Sequence, residues 1–390
     1  MIRAVTVSAT HDDPFTAGRD ASAELLADLG RAPDLVLLFS SAKYDAARVL
    51  EGVHSRLPAG VPLVGCSSYA EIDTEQALTS SVTAMGLLLD GIELQTFQVA
   101  GRGVDSFAAG REAGAGLAAF SPSLVITFPD VLDMNATQFL LGLQDTLAKD
   151  TPIVGGASAD DGAFRATYQF HGQSVTSGGA VGVALKGRLA VATAAKSGYT
   201  PIGAMHTSTR VENGKELLEI DGRAALDLYR DYLGERAAQM PAVSIEFPIG
   251  VVGGIAGTQR QVDDSLLLVR AIFNVDEPRG ALILGGDIPQ GATIRVTRAT
   301  KQDVIRGADE ATVQALESMP DPDVALIFSC MSRKSVLGPR FPEECQASFA
   351  RLPAGLPKCG FYTFGELSPV QGVTMHHEST YTIVLLKALS

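Results

Sequence analysis

The sequence predicts an α/β protein of two domains, its mixed sheets built from duplicated strand-helix-strand-helix-strand units. Three observations predict this. One pattern occurs three times: an apolar run enters a glycine, passes a hydroxyl residue, and reaches an acid six residues after the glycine. The copies run from Val61 to Glu71, from Thr151 to Asp161 and from Leu356 to Glu366. They align Gly65, Gly155 and Gly360, then Ser68, Ser158 and Thr363, then the acids Glu71, Asp161 and Glu366. The repeat also extends upstream. Asp34-Leu-Val-Leu-Leu-Phe39-Ser40 matches Asp323-Val-Ala-Leu-Ile-Phe328-Ser329, with Ser123-Leu-Val-Ile-Thr-Phe128 as the middle copy, and Phe15-Thr-Ala-Gly-Arg19 echoes Phe107-Ala-Ala-Gly-Arg111. Finally, helical and strand periodicities alternate beside long strand runs, which points to mixed sheets. A period of about 90 residues exceeds that of solenoids, so whole half-domains are duplicated.

Each element has a local reason. Residues 2–8 alternate as a strand, and Asp13-Pro14 opens a helix over 14–29. Residues 35–39 are continuously apolar, as a strand buried on both faces is. A helix over 43–56 leads through Leu57-Pro58-Ala59-Gly60 to the first glycine, and strands 81–89 and 92–99 meet at Asp90-Gly91, a hairpin signal. The second unit reads as helix 105–119, strand 124–128, helix 132–148 and strand 152–155. Strands are expected at 166–170, 175–185, 188–194 and on to 211. Residues 224–233 are helical, and a boundary just before them gives domains 1–212 and 213–390. Strands 243–247, 266–275, 281–284 and 293–297 precede the third unit: helix 301–318, strand 324–328, helix 340–351, strand 356–360. A last strand covers 380–387.

The 390 residues carry a net charge of −13, with 46% hydrophobic and 19% charged residues. Lysine and arginine are scattered rather than striped, which argues against nucleic acid and anionic membrane as partners. No apolar run reaches the roughly 18 residues of a spanning helix, and the N-terminus does not read as a signal peptide. Cys66, Cys330, Cys345 and Cys359 form no CxxC pair, which suggests reduced thiols and a cytoplasmic location.

The recurring glycine, hydroxyl and acid suit ligand binding at the C-terminal edge of a sheet, with glycine at a strand end allowing close approach. Securing one turn per repeat is the plainer role. Arg333 and Lys334 follow the strand at 324–328 on the same edge, where an arginine can clamp a carboxylate, although a solvated helix-start charge reads equally well. Glu343 and Glu344 read as solvated. His171, His376 and His377 are candidate metal or haem ligands, but without HExxH, HxH or CxxCH they read first as satisfied polar residues. Gly285-Gly286-Asp287-Ile288-Pro289 lacks the acid that follows the aspartate of a GGDEF signature and reads as a turn. No nucleophile elbow or Walker loop is present, which argues against catalysis.

Taken together, these residues resemble the FIST family (F-box and intracellular signal transduction proteins) along essentially the whole chain. The matching pieces are Gly65-Cys66-Ser67-Ser68 with Glu71, Gly155-Gly156-Ala157-Ser158 with Asp160, Tyr168 to His171, and Gly198-Tyr199-Thr200-Pro201-Ile202-Gly203. In the C-terminal half they are Phe328-Ser329-Cys330 with Arg333, Gly360 to Glu366, and Glu378-Ser379-Thr380, where Glu378 replaces the family's usual asparagine. The resemblance implies a non-enzymatic sensor that binds a small molecule such as an amino acid. It would act separately on a histidine kinase or a cyclic-dinucleotide enzyme. Ligand-binding candidates are Ser67, Ser68, Glu71, Gly156, Ser158, Asp160, Arg333, Tyr362, Thr363 and Glu366, with Glu366 taking an ammonium and Arg333 a carboxylate. Haem is the cofactor that the resemblance allows, as in nitric-oxide-sensing relatives, with His171 or His377 as axial ligand. The alternative from another class is an enzyme on small carbonyl or amino compounds, using Glu366 as base beside a cysteine or Tyr362.

Overall fold

The computed structural model describes residues 1–101, 103–253 and 266–389. It is a mixed α/β protein with eight α-helices and several mixed sheets among the described residues. The first module contains β1 (Ile2–Ala9), α1 (Pro14–Leu29), β2 (Leu35–Ser41), α2 (Ala46–His54) and β3 (Leu63–Ser68). A short hairpin, β4 (Ala70–Ile72) and β5 (Ala77–Leu78), then precedes β6 (Val82–Leu89). Module two repeats the plan with β7 (Ile92–Ala100), α3 (Ser106–Ala118), β8 (Leu124–Pro129), α4 (Ala136–Thr146) and β9 (Ile153–Gly156). Its hairpin is β10 (Gln169–His171) and β11 (Ser174–Thr176), and β12 (Gly179–Gly187) closes it.

Module three opens with β13 (Leu189–Lys196) and is then interrupted. The interruption holds β14 (Thr200–Glu212), β15 (Glu216–Ile220), β16 (Arg223–Ala224), α5 (Ala225–Leu233), β17 (Ile249–Val252), β18 (Leu267–Arg270), β19 (Ile272–Asp276), β20 (Ala281–Leu284) and β21 (Thr293–Arg298). These strands make an eight-stranded sheet of their own. Module three resumes with α6 (Lys301–Ser318), β22 (Val324–Cys330), α7 (Met331–Leu337), α8 (Pro342–Phe349) and β23 (Lys358–Thr363). The hairpin β24 (Glu366–Val370) and β25 (Val373–His377) and the strand β26 (Tyr381–Ala388) complete it. The boundary expected between residues 212 and 213 thus falls inside the interrupting sheet, and module three draws strands from both sides of it.

The modules share one topology. Their strands run β1-β6-β2-β3, β7-β12-β8-β9 and β13-β26-β22-β23, with the third position of each order parallel to the fourth. Each sheet is then extended by the hairpin of another module: β10-β11 joins module one, β24-β25 joins module two and β4-β5 joins module three. The exchange runs in a ring, so no module is complete alone.

Gly65, Gly155 and Gly360 lie within the third strands rather than beyond their ends, which corrects the expectation of a strand-end turn. A Cβ would stand 1.8 Å from the Leu38 carbonyl oxygen at Gly65, 2.0 Å from that of Thr127 at Gly155, and 1.7 Å from that of Ile327 at Gly360. The glycines therefore admit the neighbouring strand, not a ligand. Phe39, Phe128 and Phe328 occupy equivalent places at the centre and pack with Phe361, whose centroid lies 4.6, 5.9 and 5.6 Å from theirs. Room for Phe361 comes from Gly156, where a Cβ would meet Thr363 Cγ2 at 2.5 Å and the tip of the Phe361 ring at 3.3 Å.

Two local expectations fail for tertiary reasons. Asp90-Gly91 does not join a hairpin, because β6 pairs on both edges with β1 and β2, while β7 pairs with β12 in another sheet. Residues 243–247 are not a strand. Tight turns from Pro241 to Phe247 replace it, and the hydroxyls of Tyr199 and Tyr229 donate to the Ile245 and Phe247 carbonyls.

Candidate functional site

The three recurring turns meet one another. The residue four places after each glycine donates its backbone N–H to the residue two places after the glycine of another module. Tyr69 donates to the Tyr362 carbonyl at 3.1 Å, Ala159 to Ser67 at 2.9 Å, and Phe364 to Ala157 at 3.2 Å. Ser67 tightens the ring further. Its hydroxyl donates to the Ala159 carbonyl at 2.8 Å and accepts from the Tyr168 N–H at 2.9 Å.

The acids serve the same joints. Glu71 is buried and accepts from the Ser68 hydroxyl at 2.5 Å and from the Ser81 hydroxyl and N–H at 2.6 and 3.1 Å. Glu366 copies it in module three, accepting from the Thr363 hydroxyl at 2.6 Å and the Thr380 N–H at 3.2 Å. Burial pushes Glu71 up to about 7, and pushes Glu366 well above the ordinary carboxyl range. Module two departs from the pattern: its aligned acid, Asp161, is exposed, and Ser158 instead accepts from the Gln169 amide at 3.0 Å. Asp160 turns back on its own loop, accepting N–H groups from Gly162, Phe164 and Arg165 at 2.9, 3.0 and 2.7 Å.

Arg333 and Glu344 are both fully buried and paired, with Arg333 Nε and Nη2 each 2.9 Å from Glu344 Oε2. The remaining guanidinium hydrogens go to the carbonyls of Ser197, Ser379 and Val304. Arg333 therefore holds module three together around Glu344, which is a partner and not a solvated charge. The expected clamp of Glu366 and Arg333 about one open cleft gives way to two separately satisfied buried groups. Tyr362 is also buried, its hydroxyl donating to the Phe341 carbonyl at 3.3 Å. Burial raises the Cys330 and Cys345 thiols, which disfavours the thiolate that an enzymatic nucleophile near Glu366 or Tyr362 needs.

The haem candidates do not fit an axial role. His171 Nε2 is engaged by the Thr96 hydroxyl at 3.0 Å, and His377 Nε2 by the Ser368 carbonyl at 3.0 Å within its own hairpin. Burial pushes His377 down to about 4. His376 Nε2 has no hydrogen-bond partner among the described residues, but it packs on Gly365, where a Cβ would approach it to 2.3 Å. Among the described residues, no group of three or more potential ligands could hold a metal ion.

Open space lies elsewhere. A cleft of about 1220 Å³ is walled by the end of α4 and the loop to β9, by β13, by α6 and by the β24-β25 hairpin. The interrupting sheet contributes Leu266, Leu267 and Thr200. Its floor includes Leu147, Ile153, Val191 and Val373, and its rim carries Lys149, Asp150, Lys196, Arg306 and Glu310. None of the ten expected ligand residues lines it, and neither His171 nor His377 does. Sequence reading missed this cleft because its residues come from six separate stretches of the chain and share no motif. The available signal was the strand expected at 188–194, which forms as β13 and ends at Lys196.

A second polar cluster, also unforeseen, docks the interrupting sheet on the modules. Asp287 accepts from the Asn135 and Gln138 amides at 2.8 and 2.9 Å, and buried Arg270 donates to the Asp287 and His376 carbonyls at 2.7 and 3.0 Å. Glu378 accepts from the Ala271 N–H at 2.9 Å. Its carboxylate abuts Gly285, so the residue that departs from the resembled pattern serves this junction.

These features define a class: a three-module α/β protein with exchanged hairpins, an interrupting sheet, and a cleft of ligand size between them. Residues 34–223 match the FIST N domain and residues 225–369 the FIST C domain. The chain belongs to the FIST family, whose domains are associated with signal transduction. It is 25% identical over 392 residues to the uncharacterized protein Rv0628c of Mycobacterium tuberculosis (strain ATCC 25618 / H37Rv), covering 96% of this chain and 97% of that one. The uncharacterized protein Mb0898c of Mycobacterium bovis is also 25% identical, with 96% of each chain covered. Among solved structures, cyanuric acid hydrolase from A. caulinodans aligns over 100% of both chains at a TM-score of 0.38 and 8% identity, which carries no argument about fold or activity. No described helix is long and apolar enough to cross a membrane.

Proposed function

We propose that this protein is a cytoplasmic sensor that binds a small zwitterionic ligand, an amino acid or a relative of one, without turning it over. The signal passes to a separate partner, a histidine kinase or a cyclic-dinucleotide enzyme. The observation that carries this reading is the cleft shared by modules two and three and the interrupting sheet, whose rim bears charges of both signs. A ligand there touches three parts at once, so its binding energy can bias their arrangement. The turns are a poorer site, since their hydroxyls and acids already satisfy one another.

Equilibrium dialysis and mass spectrometry of the purified protein against a panel of amino acids test this. Stoichiometric binding with no product is expected, lost in Ala195→Trp, which fills the cleft from a half-buried wall position. Product formation, or a Soret band in the absorption spectrum of the purified protein, would overturn it.

A further inference from the structure

We infer that Tyr232 is an activated hydroxyl that takes an acyl group from an ester with a good leaving group, with His206 as its base and Asp221 holding the imidazole in place. His206 Nδ1 lies 2.7 Å from Asp221 Oδ2, and His206 Nε2 lies 2.7 Å from the Tyr232 hydroxyl. None of the three lines the cleft, so the inference goes beyond the sensor reading and does not rest on it.

The interrupting sheet builds this constellation on constrained backbone. β14 shifts register against β21 between Ile202 and His206, and the bulge sets the His206 ring beside the C-terminal turn of α5, which carries Tyr232. Gly203 stands in the bulge at φ 64°, where a Cβ would come within 2.5 Å of the Tyr232 hydroxyl, so glycine is what admits the phenol. Asp221 has φ 52°, a left-handed conformation that a residue other than glycine holds when its neighbours fix it. Thr207 does so here: its N–H donates to Asp221 Oδ1 at 2.8 Å, and its carbonyl accepts from the Asp221 N–H at 3.0 Å.

The hydrogen bonds fix where each proton sits. The Tyr232 oxygen accepts from the Ala204 N–H at 3.1 Å, which leaves its own hydrogen for His206 Nε2. The Nδ1–H then donates to Asp221, and that bond holds the Asp221 carboxyl below its ordinary range. A carboxylate, an imidazole and a hydroxyl in this order are the parts of general-base activation. Tyr232 Oη attacks the ester carbonyl carbon as its proton passes to His206 Nε2. The bond from that carbon to the leaving oxygen breaks, and this oxygen departs with the electron pair and takes up the proton, leaving an acyl-tyrosine. Phosphoryl transfer suits the site less, because phosphate oxygens need cations around them, and the Arg295 guanidinium at the bulge donates to the Gly203 carbonyl at 2.8 Å.

Reaction of the full chain with p-nitrophenyl acetate tests the inference. An initial release of p-nitrophenolate equal in amount to the protein is expected, with an acetyl group on Tyr232 by peptide mass spectrometry. Tyr232→Phe keeps the ring and should lose both. His206→Ala should slow the release about a hundredfold, and added imidazole should restore part of it, which a purely structural histidine would not allow. Asp221→Asn should slow the release and keep its amount. Acetyl groups on lysines with Tyr232 unmodified overturn the inference. So does undiminished release in Tyr232→Phe, or a folded His206→Ala that imidazole does not rescue.

Discussion

The Tyr69 N–H donates to the Tyr362 carbonyl at 3.1 Å, and this bond closes the ring of three turns. Residues far apart in the chain thereby become one joint. The acids beneath the joint make its stability depend on pH and on packing, and each dependence can be measured.

Glu71 should make folding weaken as pH rises. Burial lifts its folded value from 4.5 to about 7. The unfolded chain then releases this proton at lower pH than the folded one, so the contribution is fully present below about 4.5 and is lost as pH rises through about 7. The span corresponds to about 3 kcal/mol. Urea unfolding at a series of pH values should show that slope in the native protein and a flatter one in Glu71→Gln. An unchanged slope in the variant would assign the dependence to another group.

Breaking the buried pair from one side should be costly. Glu344→Gln leaves the Arg333 charge buried with only carbonyl partners, for an expected loss of about 3–5 kcal/mol. Replacing both, as Arg333→Met with Glu344→Leu, should recover much of that loss. If the double variant is as unstable as the single one, the guanidinium's bonds to Ser197, Ser379 and Val304 matter more than its charge.

Gly156 should tolerate a methyl only when its neighbour yields. Gly156→Ala brings a Cβ within 2.5 Å of Thr363 Cγ2, an overpacking cost of about 1–3 kcal/mol. Thr363→Ser removes that methyl but keeps the hydroxyl that donates to Glu366. The pair should therefore be more stable than the sum of the single changes, read as a coupling energy from thermal or urea unfolding. Strict additivity would mean that Phe361, 3.3 Å away, sets the limit.

By itself the sequence determined the modules. The spaced glycines mark equivalent third strands because a Cβ is excluded at each, and the helix expected at 301–318 forms as α6 with a complete capping box at Thr300 and Asp303. Continuous apolar runs such as the one at 35–39 became central strands, because such a run reports burial on both faces. What the sequence did not determine was which strand pairs with which. β4-β5, β10-β11 and β24-β25 are too short to carry a periodicity, and each pairs with another module. The same gap hid the roles of the polar residues. Arg333, Glu71 and Glu366 read as ligand contacts because charge beside a glycine turn suits either a ligand or a buried partner. Only tertiary structure brings Glu344, Ser81 and Thr380 to them, and a charge or hydroxyl whose hydrogen bonds are filled from within has none to give to a ligand.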